Sequence, residues 1–138
     1  MSHDLKDLLK AGESLLSALQ RFDSEFERFE NSCDTSALSM EERSQLVRLR
    51  QAHYSMDVTQ NMLKGLGKPV RAEGALRKQP SGRYLVEDVE LTSGYPLEVY
   101  DPEDDVYYPT RMEHSGEDYY IIELGREEPI EGKLVRLR

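Results

Sequence analysis

In the first quarter of the chain, apolar residues recur at alternating steps of three and four. Leu5, Leu8, Gly12, Leu15, Leu19, Phe22, Phe26, Phe29 and Cys33 form one such line, flawed only by Gly12. This is the spacing of a coiled-coil seam. Leu9 and Leu16 widen it toward the broader stripe of a bundle helix, and Asp7, Lys10, Glu13, Ser17, Gln20, Ser24 and Glu27 make the opposite face polar. The pattern predicts a helix over about residues 4–31, about 40 Å long at 1.5 Å per residue. Asn31, Ser32, Asp34, Thr35 and Ser36 then form a cluster of helix breakers. A second helix is predicted over about 40–64. Ser39 with Glu42 three residues on is a capping box, and Gly65, Gly67 and Pro69 supply the stop. Leu46, Leu49, His53, Met56, Gln60 and Leu63 continue the three-and-four spacing, with Val47, Tyr54, Val58 and Met62 as a neighbouring stripe.

Two long helices joined by about seven residues fold back as an antiparallel hairpin. Each carries an apolar stripe wider than one partner helix covers. Either a second domain packs over the hairpin or two chains pair into a four-helix bundle. The seam runs the whole length of the helices, which favours a homodimer or higher homo-oligomer. The expected oligomer seam is Leu5, Leu8, Leu15, Leu19, Phe22, Phe26, Phe29, Leu46, Leu49, Met56 and Leu63.

After a linker at 67–71 the period changes to two. Runs at Ala72–Lys78, Arg83–Glu87, Leu97–Tyr100, Val106–Met112, Asp118–Leu124 and Ile130–Leu137 read as strands, separated by turn signals such as Gln79-Pro80-Ser81-Gly82 and Thr92-Ser93-Gly94. Pro109 inside a strand implies an edge or a bulge. Five or six short strands imply a small antiparallel barrel or strongly bent sheet. The expected class is α+β, with a helical hairpin at 1–66 and a small β domain at 72–138.

Several motifs of this second part resemble a known family: Gly74-x-Leu76, Gly82-Arg83-Tyr84, Glu90-Leu91-Thr92-Ser93-Gly94, Leu97-Glu98-Val99, Arg111-Met112-Glu113-His114, Asp118-Tyr119-Tyr120 and Gly132-Lys133-Leu134-Val135-Arg136. They are similar to a family of short, uncharacterised domains from Gram-positive bacteria and their plasmids, phages and conjugative elements. The resemblance covers about 72–138 and leaves out the helices. It implies an SH3-like β fold and no activity.

Composition narrows the function classes. Of 138 residues, 33% are charged and 38% hydrophobic, so a small core is expected. The formal charge of −9 disfavours nucleic acid and anionic membrane as general partners. The charge is uneven. Residues 68–83 hold five cations against Glu73, a net of +4, whereas 84–138 hold five cations and fifteen carboxylates, a net of −10. With one cysteine, Cys33, no internal disulfide can form. The opening His3, Asp4, Lys6 and Asp7 precede any apolar run, and no stretch reaches the length of a membrane span, so a cytoplasmic protein is expected.

Candidate chemistry is sparse. His3, His53 and His114 have no metal-ligand spacing with one another or with Cys33, and His53 reads as a residue at the edge of the helical seam. The acidic loop Asp101–Asp105 lacks the ligand order of a calcium loop. No nucleophile, phosphate loop or cofactor motif is present, so neither an enzyme nor a bound cofactor is expected. The tyrosines are more suggestive. Strand alternation sends one of Tyr107/Tyr108 and one of Tyr119/Tyr120 outward. The candidate binding surface is Arg77, Lys78, Arg83, Tyr107, Tyr119, Arg136 and Arg138; Arg136 and Arg138 with Arg111 make a small cationic patch, whose bland reading is ion pairing with Glu98, Glu113 or Glu123. The sequence thus points to a self-associating interaction module with an unidentified protein partner. A nucleic-acid-binding accessory protein using 68–83 and the outward tyrosines is the alternative.

Overall fold

The computed structural model describes residues 4–138. It contains two helices followed by antiparallel sheets, and its contacts divide it into two compact units, one ending at Gly67 and one beginning at Lys68.

In the first unit, α1 spans Leu5–Ser32 and α2 spans Met40–Leu66. The Asp4 side chain caps α1 by accepting from the Asp7 backbone N–H. The capping box forms as expected. Ser39 Oγ accepts from the Glu42 N–H, and the Glu42 carboxylate accepts from the Ser39 N–H. The breaker cluster begins later than expected. Asn31 and Ser32 stay helical, Cys33 is the C-cap, and a short 3-10 turn at Thr35–Ala37 carries the chain round.

The helices run antiparallel, as the cross-links between them show. Arg50 forks onto Glu30 at 2.7 and 3.2 Å. His53 Nε2 lies 2.6 Å from Asp23 Oδ1, with its ring stacked on Phe26 at 4.0 Å, so the seam histidine is a satisfied edge residue. At the far end Gly12 faces Leu63 and Leu66, so the flaw in the heptad lies where the helices come close.

The hairpin has almost no interior. α1 buries no residue fully, and α2 buries only Leu46, Met56 and Gln60. Leu19, Phe22, Phe26, Phe29 and Leu63 are half-buried between the helices. Four members of the expected oligomer seam are exposed in the single chain: Leu5 and Leu8 at 68%, Leu15 and Leu49 at 48%. Leu5 and Leu8 lie beyond the level at which Gly12 meets the end of α2, so no partner turn covers them.

The second unit has eight short strands rather than five or six: β1 (Ala72–Ala75), β2 (Arg77–Lys78), β3 (Tyr84–Val86), β4 (Val89–Leu91), β5 (Pro96–Asp101), β6 (Val106–His114), β7 (Tyr119–Ile121) and β8 (Leu134–Leu137). They form a five-stranded sheet in the order β1-β8-β5-β6-β7 and a three-stranded sheet in the order β2-β3-β4, both antiparallel. The sheets do not close into the expected barrel. The run Ala72–Lys78 is split, because buried Leu76 turns into the core and passes the chain from one sheet to the other. Ile130 is buried outside any strand, and the last strand begins only at Leu134.

Alternation builds a single core. Leu97 and Val99 of β5, Met112 of β6, Ile121 of β7 and Val135 and Leu137 of β8 meet Tyr84, Val86 and Leu91 of the smaller sheet in one apolar cluster of twelve buried residues. β7 pairs only with Met112–His114, so Pro109 sits where β6 has no neighbour on that side. This is the edge position that its missing N–H demands.

Two substitutions test this division. Met112 is fully buried, and Met112→Ala should lower unfolding stability by about 2–5 kcal/mol. A Cβ on Gly12 would meet Leu63 and Leu66 at 3.5 and 3.7 Å, ordinary contact distances. Gly12→Ala should therefore raise helix stability by about 0.5–1 kcal/mol. Urea titration followed by circular dichroism reads both, and a destabilised Gly12→Ala would contradict the packing described.

Candidate partner-binding surfaces

The outer face of the five-stranded sheet carries the clearest surface feature. Register places Tyr100 opposite Tyr107 and Glu98 opposite Arg136, with Arg136 in turn opposite Glu73 of β1. These residues alternate with the core residues Val99 and Val135, so they project away from the core. Glu98, Tyr100, Tyr107 and Arg136, together with Asp105, Val106, Leu134 and Arg138, line an open groove of ≈ 620 Å³.

Its floor is aromatic and cationic. The Tyr100 and Tyr107 rings are tilted against each other with centroids 5.3 Å apart, and the Arg136 guanidinium lies 3.9 Å from the Tyr107 centroid. Both arginines are fixed from the side, Arg136 by Glu73 at 2.9 Å and Arg138 by Glu98 at 3.1 Å. Arg138 also donates to the Lys68 carbonyl at 2.8 Å. At the β5–β6 turn, Asp105 takes a left-handed φ of 53° and accepts the Tyr100 hydroxyl at 2.6 Å. That hydrogen bond holds the Tyr100 phenol above its ordinary range. Asp104 does the same for Tyr108.

A second, smaller cleft of ≈ 300 Å³ has Lys78, Tyr84, Asp118, Tyr119 and Arg126 in its wall. Lys78 is 3.0 Å from Asp118. The Asp118 carboxyl is held below its ordinary range, first by the Lys78 hydrogen bond and then by the Tyr119 N–H. Lys78 is correspondingly raised, and burial pushes Tyr84 up.

The structure therefore separates the residues expected to form one surface. Tyr107, Arg136 and Arg138 share the groove, Lys78 and Tyr119 share the cleft, and Arg77 and Arg83 line neither. Tyr107 is the outward member of its pair, since Tyr108 packs on the core. In the other pair Tyr119 packs on the core beside Ile121, and Tyr120 instead takes the Arg126 guanidinium at 5.6 Å from its centroid. Tyr120 is thus the more outward tyrosine, set by the buried Ile121 next to it. The cations of 68–83 are largely engaged within the unit. Arg71 bonds the Arg138 carbonyl and the Tyr95 hydroxyl, Arg77 bonds the Glu87 carbonyl, and Arg83 pairs with Glu90 at 3.6 Å. Arg111 pairs with Glu113. Of the groove residues, Glu98, Tyr100, Asp105, Val106 and Leu134 were not in the expected surface. The alternation around Val99 and Val135 carries the signal for the sheet positions, but which strands are neighbours is not written in local sequence.

Residues 74–137 match the family model described as Domain of unknown function (DUF5348). The match takes in every groove residue except Arg138 and leaves out the helices. It agrees with the resemblance noted in the sequence and assigns no activity. No curated protein and no solved structure gives a significant match.

Among the described residues no group of three metal-ligating side chains forms, and His3 lies outside them. His114 accepts the Gly116 N–H through Nδ1 and sits edge-on to Tyr119, and Cys33 is a half-buried helix cap. No described helix is long and apolar enough to cross a membrane.

The Lys78–Asp118 pair gives a pH prediction. A depressed carboxyl stabilises the fold above its unfolded value and loses that stabilisation as pH falls through the folded value. A raised lysine stabilises below its unfolded value and loses it only at high pH. Lys78→Gln should therefore lower the urea midpoint at neutral pH, modestly because both groups are part-exposed. The variant and the parent should converge once pH falls well below about 4. A difference that persists undiminished in acid would show that Lys78 acts by packing alone.

Proposed function

We propose that this chain is a non-enzymatic interaction module whose helical hairpin self-associates and whose β unit offers the tyrosine–arginine groove to a protein partner. The observation that carries the reading is the hairpin's lack of interior. Over 28 and 27 helical residues only Leu46, Met56 and Gln60 are buried, while Leu5, Leu8, Leu15, Val47, Leu49, Tyr54, Val58 and Met62 are exposed. So much exposed apolar surface on a pair of helices is characteristic of an interface. The groove fits the same reading, because tyrosine and arginine are the residues enriched at interface centres.

The electrostatics favour binding over catalysis. Asp118, Glu113 and Lys78 are each held in their ordinary charged form by a partner. Proton-transfer chemistry calls for the opposite, groups pushed toward neutrality near pH 7. The nucleic-acid alternative rests on the basic 68–83 stretch, whose arginines and Lys78 are already engaged by protein acceptors. A cytoplasmic setting fits the single cysteine.

Size-exclusion chromatography with light scattering at micromolar concentration should give a mass of twice the 15.9 kDa chain, or a higher multiple. A monomer would remove the self-association reading. Fluorescence anisotropy with labelled single-stranded and duplex DNA at low salt should show no binding, and steeply salt-dependent binding would favour the alternative.

A further inference from the structure

The groove on the outer sheet face is internally balanced at one end and acidic at the other. Its two arginines are answered within the sheet, Arg136 by Glu73 and Arg138 by Glu98. The β5–β6 turn is different. It carries Asp101, Glu103, Asp104 and Asp105, and Asp105 lines the groove. Asp101 accepts the Glu103 N–H, while Asp104 and Asp105 accept the Tyr108 and Tyr100 hydroxyls. All three donors are neutral. Among the described residues no lysine or arginine pairs with any of these four carboxylates. The Tyr100 phenol is held up first by its hydrogen bond to Asp105, then by burial and by the charges of Asp105 and Asp101. Tyr108 is held up in the same way by Asp104, with Asp101 and Glu123 adding to it, and no cation offsets either. The rings give a second, independent sign. Tyr84, Tyr95, Tyr107 and Tyr120 each hold a cation of the chain over the ring: Lys78, Arg71, Arg136 and Arg126. Tyr119 has His114 at its edge, and Tyr108 packs on the core. Among the described tyrosines of the β unit, Tyr100 alone lines the groove with no cation on its ring.

We propose that the groove receives an extended, basic segment of a partner protein, which lays a lysine or arginine side chain over the Tyr100 ring beside Asp105 and sets apolar side chains against Leu134 and Val106. The inference rests on the groove reading proposed above and names the chemistry of the partner. Charge selects the occupant. Within the groove wall Glu98 and Asp105 balance Arg136 and Arg138, and the charges next to it, Glu73, Asp101, Glu103 and Asp104, are all negative. The other arginines of the β5–β6 hairpin and its flank lie at the end away from the turn, Arg111 paired with Glu113 and Arg71 set over Tyr95. An acidic segment would bring further negative charge onto the turn and find no free cation there. A basic segment finds the ring face and the carboxylates at one place. Leu134 and Val106, both more than two-fifths exposed, give its apolar neighbours a surface to cover.

The test is a titration of the isotope-labelled full chain, followed by its amide NMR signals, with three synthetic peptides. One is Ser-Leu-Ser-Arg-Ser-Leu-Ser, acetylated and amidated, and the others carry glutamate or glutamine in place of the arginine. Alternate residues of an extended chain face the same way, so the arginine and both leucines share one side. The arginine peptide should move the amides of Tyr100, Asp105, Tyr107 and Leu134, and the other two should not. A variant carrying Glu103→Gln, Asp104→Asn and Asp105→Asn loses three charges at nearly constant size, and asparagine tolerates the left-handed φ at 105. It should bind the arginine peptide about tenfold more weakly. Equal shifts from the glutamate or glutamine peptide, or undiminished affinity in the variant, overturn the inference but leave the groove as a partner site. Shifts from the arginine peptide confined to other surfaces do the same. Failure of all three peptides to move the groove amides overturns the groove reading as well. Should the variant unfold, the ranking of the three peptides on the parental chain decides.

Discussion

Two helices can exclude water only along the narrow line where they touch. The rest of the helical unit follows from this limit. Its half-buried phenylalanines, its His53–Phe26 stack, its Arg50–Glu30 fork and its three buried side chains all lie on that line. Apolar residues off the line stay in water in the single chain. The exposure of Met40, Val47, Tyr54, Val58 and Met62 has no explanation in the fold of one chain. A third helical layer, as proposed above, would supply one.

The β unit solves the same problem internally. Strand alternation gives every strand one buried face, and two small sheets sharing that face enclose twelve residues without help. Its surface is correspondingly settled, with arginines and Lys78 held by carboxylates or carbonyls and the tyrosine hydroxyls of Tyr100 and Tyr108 bonded to the β5–β6 turn. Pro109 lies on the open side of β6 and discourages edge-to-edge growth of the sheet. Association through the helices, with the sheet face left for a different partner, is the division of labour proposed above for these two surfaces.

The helices were legible because their signals are local. The three-and-four spacing, the Ser39–Glu42 box and the glycine stop fix both elements within a few residues. The α+β class followed from periodicity in the same way, and so did the outward turn of one tyrosine in the 107/108 pair, though not which one. What could not be read depends on contacts between distant segments. Leu76 breaks one apparent strand into two because it is claimed by a core assembled from the whole unit. The groove joins β8, β5 and β6, whose adjacency is a matter of topology. Spacing alone also does not say that α2 ends at Leu66 and leaves Leu5 and Leu8 uncovered in the single chain. Conversely, the stripe on the outside of α2 was visible as a neighbour of the seam. Its position opposite the seam emerged only once the inner face was known.

The central claim is that the helical unit is completed by another chain, and mass action tests it most directly. Partner binding stabilises a fold in proportion to the logarithm of partner concentration. Thermal melts of the full chain at 222 nm, at protein concentrations spanning about two orders of magnitude, should show the helical transition moving to higher temperature as concentration rises. A transition temperature independent of concentration across that range would contradict the account.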